Sequence, residues 1–188
     1  MKPEIELKFY PIDKDEVRQK LSAAGFDLTE PEFMMTRTVF HSRHLPDSWG
    51  RVRREKTSTT LSIKKNTGYG LTKTQEIELR VDSPDNAAAF MEAAGFHKAS
   101  YQESLREIWR KGDVEADIDQ WPGLFPWVEI EGPTEESVRK ACADIGFDEA
   151  DAMYGSADFV YERELGIPRH EINARPEITF KNPPVRAA

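Results

Sequence analysis

The sequence predicts an α+β fold: a closed eight-stranded antiparallel β-barrel, a tunnel, flanked by helices. Three observations predict it. Eight strand-like runs are joined mostly by short connections, which favours antiparallel pairing. Many of these runs place charged residues on one face and aliphatic residues on the other, the two-residue period of a strand. Three helical segments with apolar stripes also need a surface to cover, and the aliphatic outside of a rolled sheet supplies one.

The strand-like runs cover 3–10, 33–42, 49–56, 59–65, 71–82, 100–111, 113–121 and 127–132. The first contains Glu4-Ile5-Glu6-Leu7-Lys8, so Glu4, Glu6 and Lys8 share a face opposite Ile5, Leu7 and Phe9. Helical segments at 17–26, 87–96 and 138–147 each close in Gly-Phe. That ending fits a glycine just past the last turn, followed by an apolar contact. Asp13, Ser83 and Thr134 are the expected N-caps, with Pro84 at the first helical position. The shared phrase fits a weak internal repeat as well as it fits three independent amphipathic helices. Residues 66–70 form a glycine-containing turn that joins two runs as a hairpin, and Lys111-Gly112-Asp113 joins the next two. Residues 149–165 read as helical, interrupted by Gly155. The barrel domain is expected over 1–165. From Gly166, four prolines and no clear period give a tail over 166–188, read as a lid on the tunnel or a contact in a homodimer.

With 188 residues the chain is long enough for one domain with a sizeable core. It is 38% apolar and 32% charged, with mean hydropathy −0.65, yet its apolar residues are periodic, which argues against disorder. A net charge of −8 argues against a nucleic-acid partner but leaves room for a local basic cluster that takes phosphates. The single cysteine, Cys142, excludes an intramolecular disulfide and a cysteine-based zinc site. No signal peptide or long apolar run is seen, so no membrane partner and a cytoplasmic location are expected.

The charged faces carry the functional reading. Arg51 and Arg53 flank Val52, and Lys64 lies opposite Leu61 and Ile63. Glu76, Glu78 and Arg80 oppose Ile77, Leu79 and Val81. Asp117 and Asp119 oppose Ile118, and Glu129 and Glu131 oppose Val128 and Ile130. Arg106 is a further candidate cation. The bland reading makes these the wet faces of a half-exposed sheet. The sharper one turns them inward. Carboxylate pairs with an apolar spacer repel each other unless a cation lies between them. In a hydrated tunnel, Glu4, Glu6, Glu76, Glu78, Asp117, Asp119, Glu129 and Glu131 would form an acidic wall suited to a hard divalent ion. Lys8, Arg51, Arg53, Lys64, Arg80 and Arg106 would form a basic wall for phosphate oxygens. A metal-bound polyphosphate satisfies both.

At this point the ordered set resembles a known family. Glu4-x-Glu6-x-Lys8 is similar to the N-terminal ExExK signature of the CYTH superfamily, the triphosphate tunnel metalloenzymes. The likeness continues through Arg51-x-Arg53, Lys64, Glu76-x-Glu78, Arg106, Asp117/Asp119 and Glu129-x-Glu131. That family contains class IV adenylyl cyclases, thiamine triphosphatases and inorganic triphosphatases. The resemblance implies that Lys8, Arg51, Arg53, Lys64 and Arg106 grip the triphosphate. It implies Mg²⁺ or Mn²⁺ at Glu4, Glu6, Glu129 and Glu131, with Asp117 or Asp119 helping. Catalytic roles fall to Lys8, Glu76 and Glu78. Thr74 stands where many cyclase-like members carry Arg.

Three functions follow as expectations. The first is metal-dependent hydrolysis of a triphosphate: inorganic, nucleoside or thiamine. The second is a class IV adenylyl cyclase, and the third a non-catalytic polyphosphate-binding protein. His41, His44, His97 and His170 are read as surface residues and Cys142 as a packed one. Trp121, Phe125 and Trp127 are read as an apolar corner, with base stacking as the alternative.

Overall fold

In the computed structural model, which describes residues 1–67 and 74–186, ten strands form one sheet. They are β1 (Lys2–Pro3), β2 (Glu6–Phe9), β3 (Asp27–His41), β4 (Ser48–Arg54), β5 (Thr59–Asn66), β6 (Thr74–Val81), β7 (His97–Lys111), β8 (Val114–Gln120), β9 (Trp127–Glu131) and β10 (Glu177–Ile178). The order is β1-β6-β5-β4-β3-β7-β8-β9-β2, antiparallel throughout, and β10 joins β7 in parallel. The turn expected at 66–70 and the start of the run expected at 71–82 fall partly outside the described residues.

The expected closed barrel is not formed: the sheet is open and curled. The single first strand expected over 3–10 is split at Glu4 and Ile5. Its first piece, β1, pairs with β6, and its second, β2, with β9, with one isolated bridge from Lys8 to Met153 on its other side. Closing a barrel needs a strand laddered to both ends of the sheet, and no residue of this segment pairs with both β6 and β9. The two free ends of the path are nevertheless neighbours along the chain. Glu4 N–H donates to the Thr74 carbonyl at 3.0 Å, and Gly132 N–H donates to the Ile5 carbonyl at 3.2 Å. The curl therefore brings both ends to one short N-terminal segment.

The helices are α1 (Lys14–Ala23), α2 (Pro84–Ala93), α3 (Glu135–Ile145), α4 (Ala157–Leu165) and α5 (Arg169–Asn173). Asp13, Ser83 and Thr134 cap the first three, each side chain accepting from the backbone N–H three residues on. Gly25, Gly95 and Gly146 follow them at φ of +83°, +90° and +85°, a region where a side chain is strained. The helix expected over 149–165 is broken. A single 3₁₀ turn, Glu149–Asp151, precedes α4, and between them Gly155 sits at φ +142°. A Cβ there would lie 2.8 Å from that of Phe159.

All three large helices pack on the convex, aliphatic side of the sheet. Leu7, Phe9, Ile118, Val128 and Ile130 meet Val17 and Leu21 of α1 and Val138 and Ile145 of α3. Phe40 and Val52 meet Ala87 and Met91 of α2. A third cluster joins Tyr10, Trp121 and Trp127 to Val160, Tyr161, Ile167, Ile172 and Ile178. The segment beyond Gly166 thus lies on the body. Ile178 is buried, and Tyr101 N–H donates to the Pro176 carbonyl at 2.9 Å. Two units of helix, Gly-Phe and fifteen-residue strand, α1–β3 and α2–β7, lie side by side with their strands antiparallel. Among the described residues no helix is long and apolar enough to cross a membrane.

Leu7 is fully buried between β9 and the α1–α3 layer. Leu7→Ala should cost about 2–5 kcal/mol, the range for emptying a packed leucine site. Denaturant unfolding followed by circular dichroism checks this, with an unchanged slope expected.

Candidate functional site

The alternation that buries Leu7, Ile118, Val128 and Ile130 outward sends their neighbours to the concave face. Strand register then stacks the charges in rungs. Lys64 stands opposite Glu76; Arg51 opposite Ser62, which faces Glu78; and Arg53 opposite Thr60, which faces Arg80. On the other wall, Lys8 faces Glu129, which faces Asp117. Asp119 faces Arg106 and Trp127, and Glu6 faces Glu131, which faces Glu115.

Most of these groups are paired. Lys8, only 4% exposed, lies 2.6 Å from Glu129 and donates to the Gly155 carbonyl at 2.9 Å. Lys64 lies 2.5 Å from Glu4 and 3.6 Å from Glu76. Arg51 reaches Glu76 at 3.1 Å and Glu78 at 3.4 Å; Arg53 reaches Glu55 at 2.6 Å and Glu78 at 3.6 Å. Arg106 binds Asp117, both oxygens of Asp119 and, at 3.2 Å, Glu129. The curl is tight enough that Lys64 on β5 helps hold down Glu129 on β9, five steps away along the sheet path.

The electrostatics follow from this crowding. Burial opposes the charge on Glu129, but Lys8 and Arg106 outweigh it and hold the carboxyl at about 2. Burial likewise opposes the charge on Lys8, and Glu129 and Glu6 overcome it to raise its pKa. Asp117 is pushed well up, by burial first and by Asp119 as well, against the pull of Arg106. Burial and the facing Glu76 raise Glu4 to about 8, against Lys64. Glu76 takes the opposite course. Burial would raise it, but the hydrogen bond with Glu4, Lys64 and Arg51 bring it to about 2. Burial and then Arg53 lower Arg51 to about 10.

Glu6 and Glu131 stand apart: opposed on one rung, neither makes an ion pair among the described residues. Glu131 opens to solvent at the rim, yet its carboxyl is crowded by protein. Loss of water and then Glu6 push it to about 7. Two oxygen-rich side chains with no cation between them suit a hard divalent ion. Such an ion, above all Mg²⁺, commonly takes one or two carboxylates and completes its shell with water and substrate phosphates. Among the described residues no three acidic, histidine or cysteine groups already converge into a metal cage. Glu4 and Glu129, held by lysines, are the next oxygens to hand.

Of the residues expected from sequence, Arg80 is the outlier. It is exposed at the end of its rung and joins none of these ion pairs. His41 and His97, read as scattered, are rung partners with ring centroids 6.3 Å apart. Sequence reading missed Arg37, only 8% exposed on the concave side of β3, opposite Arg53. Its face-mates Met35 and Val39 are apolar, so no doubled charge marked it. Glu115, beside Glu131, was also missed.

The chain matches the CYTH domain over residues 2–159, and it belongs to that family. Over 132 residues it is 26% identical to a Methanocaldococcus jannaschii protein named as a candidate adenylate cyclase, covering 68% of this chain and 75% of that one. Solved structures share the fold. A Pyrococcus horikoshii protein aligns with a TM-score of 0.66 at 19% identity, covering 80% of this chain and 94% of its own. A candidate adenylate cyclase from Vibrio parahaemolyticus gives 0.72 at 14%, covering 86% and 98%. A candidate adenylyl cyclase from Hippeastrum, described as having a dominant triphosphatase activity, gives 0.61 at 16%, covering 91% and 100%.

The raised carboxyls fix a pH dependence. A carboxyl whose pKa rises on folding from 4.5 destabilises the fold as pH climbs through the folded value. In chelator, stability should therefore fall from about pH 5 to about pH 8, as Glu131 and then Glu4 ionise. Glu76 and Glu129, both near 2, act in the opposite sense, and only below pH 4.5. Glu131→Gln should flatten the decline, as read from denaturation midpoints across that range.

Proposed function

We propose that this protein hydrolyses a triphosphate with the help of a divalent metal ion, Mg²⁺ or Mn²⁺, in the charged concavity of its sheet. One observation carries the reading. Cations on successive rungs face carboxylates within a narrow curl, and most of these groups are held by a partner that a ligand could replace.

The cations already have fixed positions, so little reorganisation accompanies binding, and preorganised charge is the largest lever on such a reaction. Phosphate oxygens would take Lys64 from Glu4, and Arg51 and Arg53 from Glu78. Lys8 and Arg106 would turn from Glu129 towards the substrate. The carboxylates released in this exchange join Glu6 and Glu131 as oxygen donors. Bound there, a divalent ion supplies neutralising charge and lowers the pKa of a water. Glu76 keeps Arg51 and Lys64 aimed at the substrate. Lys8, anchored by the Gly155 carbonyl beside Trp127, holds its ammonium against the phosphoryl oxygens.

A second reading, cyclisation of ATP to cyclic AMP and pyrophosphate, is favoured by the name of the Methanocaldococcus relative. It would use the same phosphate grip, with the ribose hydroxyl as the attacking group.

Purified protein with Mg²⁺ or Mn²⁺ should release phosphate from tripolyphosphate. The double variant Glu4→Gln, Glu6→Gln should lose at least about a hundredfold in kcat/KM, the scale seen when fixed charge is removed from a transition state, while keeping its circular dichroism spectrum. Cyclic AMP from ATP, with no phosphate from tripolyphosphate, would establish the second reading instead.

A further inference from the structure

Arg37 is the one buried cation of the concavity without a carboxylate partner among the described residues. Its Nη2 donates to the Ser104 hydroxyl, and its guanidinium stacks 4.4 Å from the Trp121 ring centroid. Its Nε has no hydrogen-bond partner. Asp119, which favours its charge, is bound to Arg106. Burial, Arg51 and Arg53 together hold its pKa well below the usual guanidinium value. An unpaired buried charge costs several kcal/mol. A neutral protein group at this place would satisfy Ser104 equally well.

The rungs show what the charge is for. Compensation fails at one end of them. Lys64 is flanked by Glu4 and Glu76, and Arg51 by Glu76 and Glu78. Arg53 shares Glu78 with Arg51 and holds Glu55, and Arg37, on the same rung, has none. These three rungs span about 14 Å, at about 3.4 Å per residue. The end that carries Arg37 is therefore the more positive one, and Trp121 walls it. Along a polyphosphate chain the terminal phosphoryl group carries the extra ionisable oxygen, with a second charge near neutral pH.

We propose that Arg37 is a specificity residue that receives the terminal phosphoryl group of the substrate, fixing its direction with that group at this end and the rest of the molecule towards Lys64. This rests on the triphosphate reading and adds an orientation to it. Ser104 and Trp121 hold the guanidinium in place, and its Nε–H is left without a hydrogen bond.

The test compares two probes with Mg²⁺ by calorimetry: β,γ-methylene ATP, and the same molecule methylated on its terminal phosphoryl group. Wild-type protein should bind the first at least about tenfold tighter, about 1.4 kcal/mol. Arg37→Gln should bring the ratio to within about twofold, and Arg37→Lys should narrow it without closing it, since a point charge replaces a fork. Lys64→Gln should weaken both probes and keep the ratio. Arg37→Met should melt no lower than wild type without ligand and gain less from the uncapped probe. A ratio unchanged in both Arg37→Gln and Arg37→Lys overturns the proposal, and Arg37→Lys decides alone should Arg37→Gln fail to fold. Tight wild-type binding without discrimination also overturns it and leaves the triphosphate reading intact. Wild-type protein that binds neither probe overturns the proposal, while phosphate release from tripolyphosphate decides the triphosphate reading separately.

Discussion

Arg106 reaches Asp117, Asp119 and Glu129 on two neighbouring strands, and the concave face depends on contacts of this kind. Asp117 and Asp119 are 3% and 2% exposed, and Arg106 offsets the repulsion between two such closely placed acids. Lys8 does the same for Glu129, and Lys64 for Glu4 and Glu76. Because each pair bridges different strands, the pairs also set how far the sheet curls. Removing one partner would leave a buried charge alone, which costs far more than the pair contributes. The pairs are thus a constraint on shape as well as a store of ligand-binding groups.

The convex side meets the complementary need. Aliphatic residues that alternate with the charges must be covered, and α1, α2 and α3 cover them. Their caps and closing glycines set where each helix starts and stops, and so which stripe it presents. The N-terminal segment is where the two requirements meet. Leu7 and Phe9 anchor it under the helices, while Glu4, Glu6 and Lys8 line the concavity between the two ends of the sheet. The same nine residues thus hold the curl and furnish part of the site.

Chemically, such a face exchanges partners. Carboxylates and guanidinium groups that satisfy each other in the free protein can be separated by a ligand carrying both signs, a metal ion and a polyphosphate. Hydrolysis and cyclisation share this exchange and differ in which oxygen attacks.

The alternation of charge and aliphatic residues was legible in the chain because a strand's period is two, whatever it pairs with. So were the caps at Asp13, Ser83 and Thr134, which are local, and the ordered set from Glu4 to Glu131. The two-sided wall of charge needed no coordinates either. Other features were set by pairing over long distances. The first strand divides its two halves between β6 and β9, so the sheet stays open. The segment after Gly166 is held to the body because Ile167, Ile172 and Ile178 join the cluster of Trp121 and Trp127, contacts that no local pattern announces. Arg37 joins the basic wall because register sets it opposite Arg53 while Met35 and Val39 keep its own strand looking apolar. Local chemistry determined which residues could share a face; only the curling of that face decided which charges would be paired and which, among the described residues, would be left without an ion-pair partner.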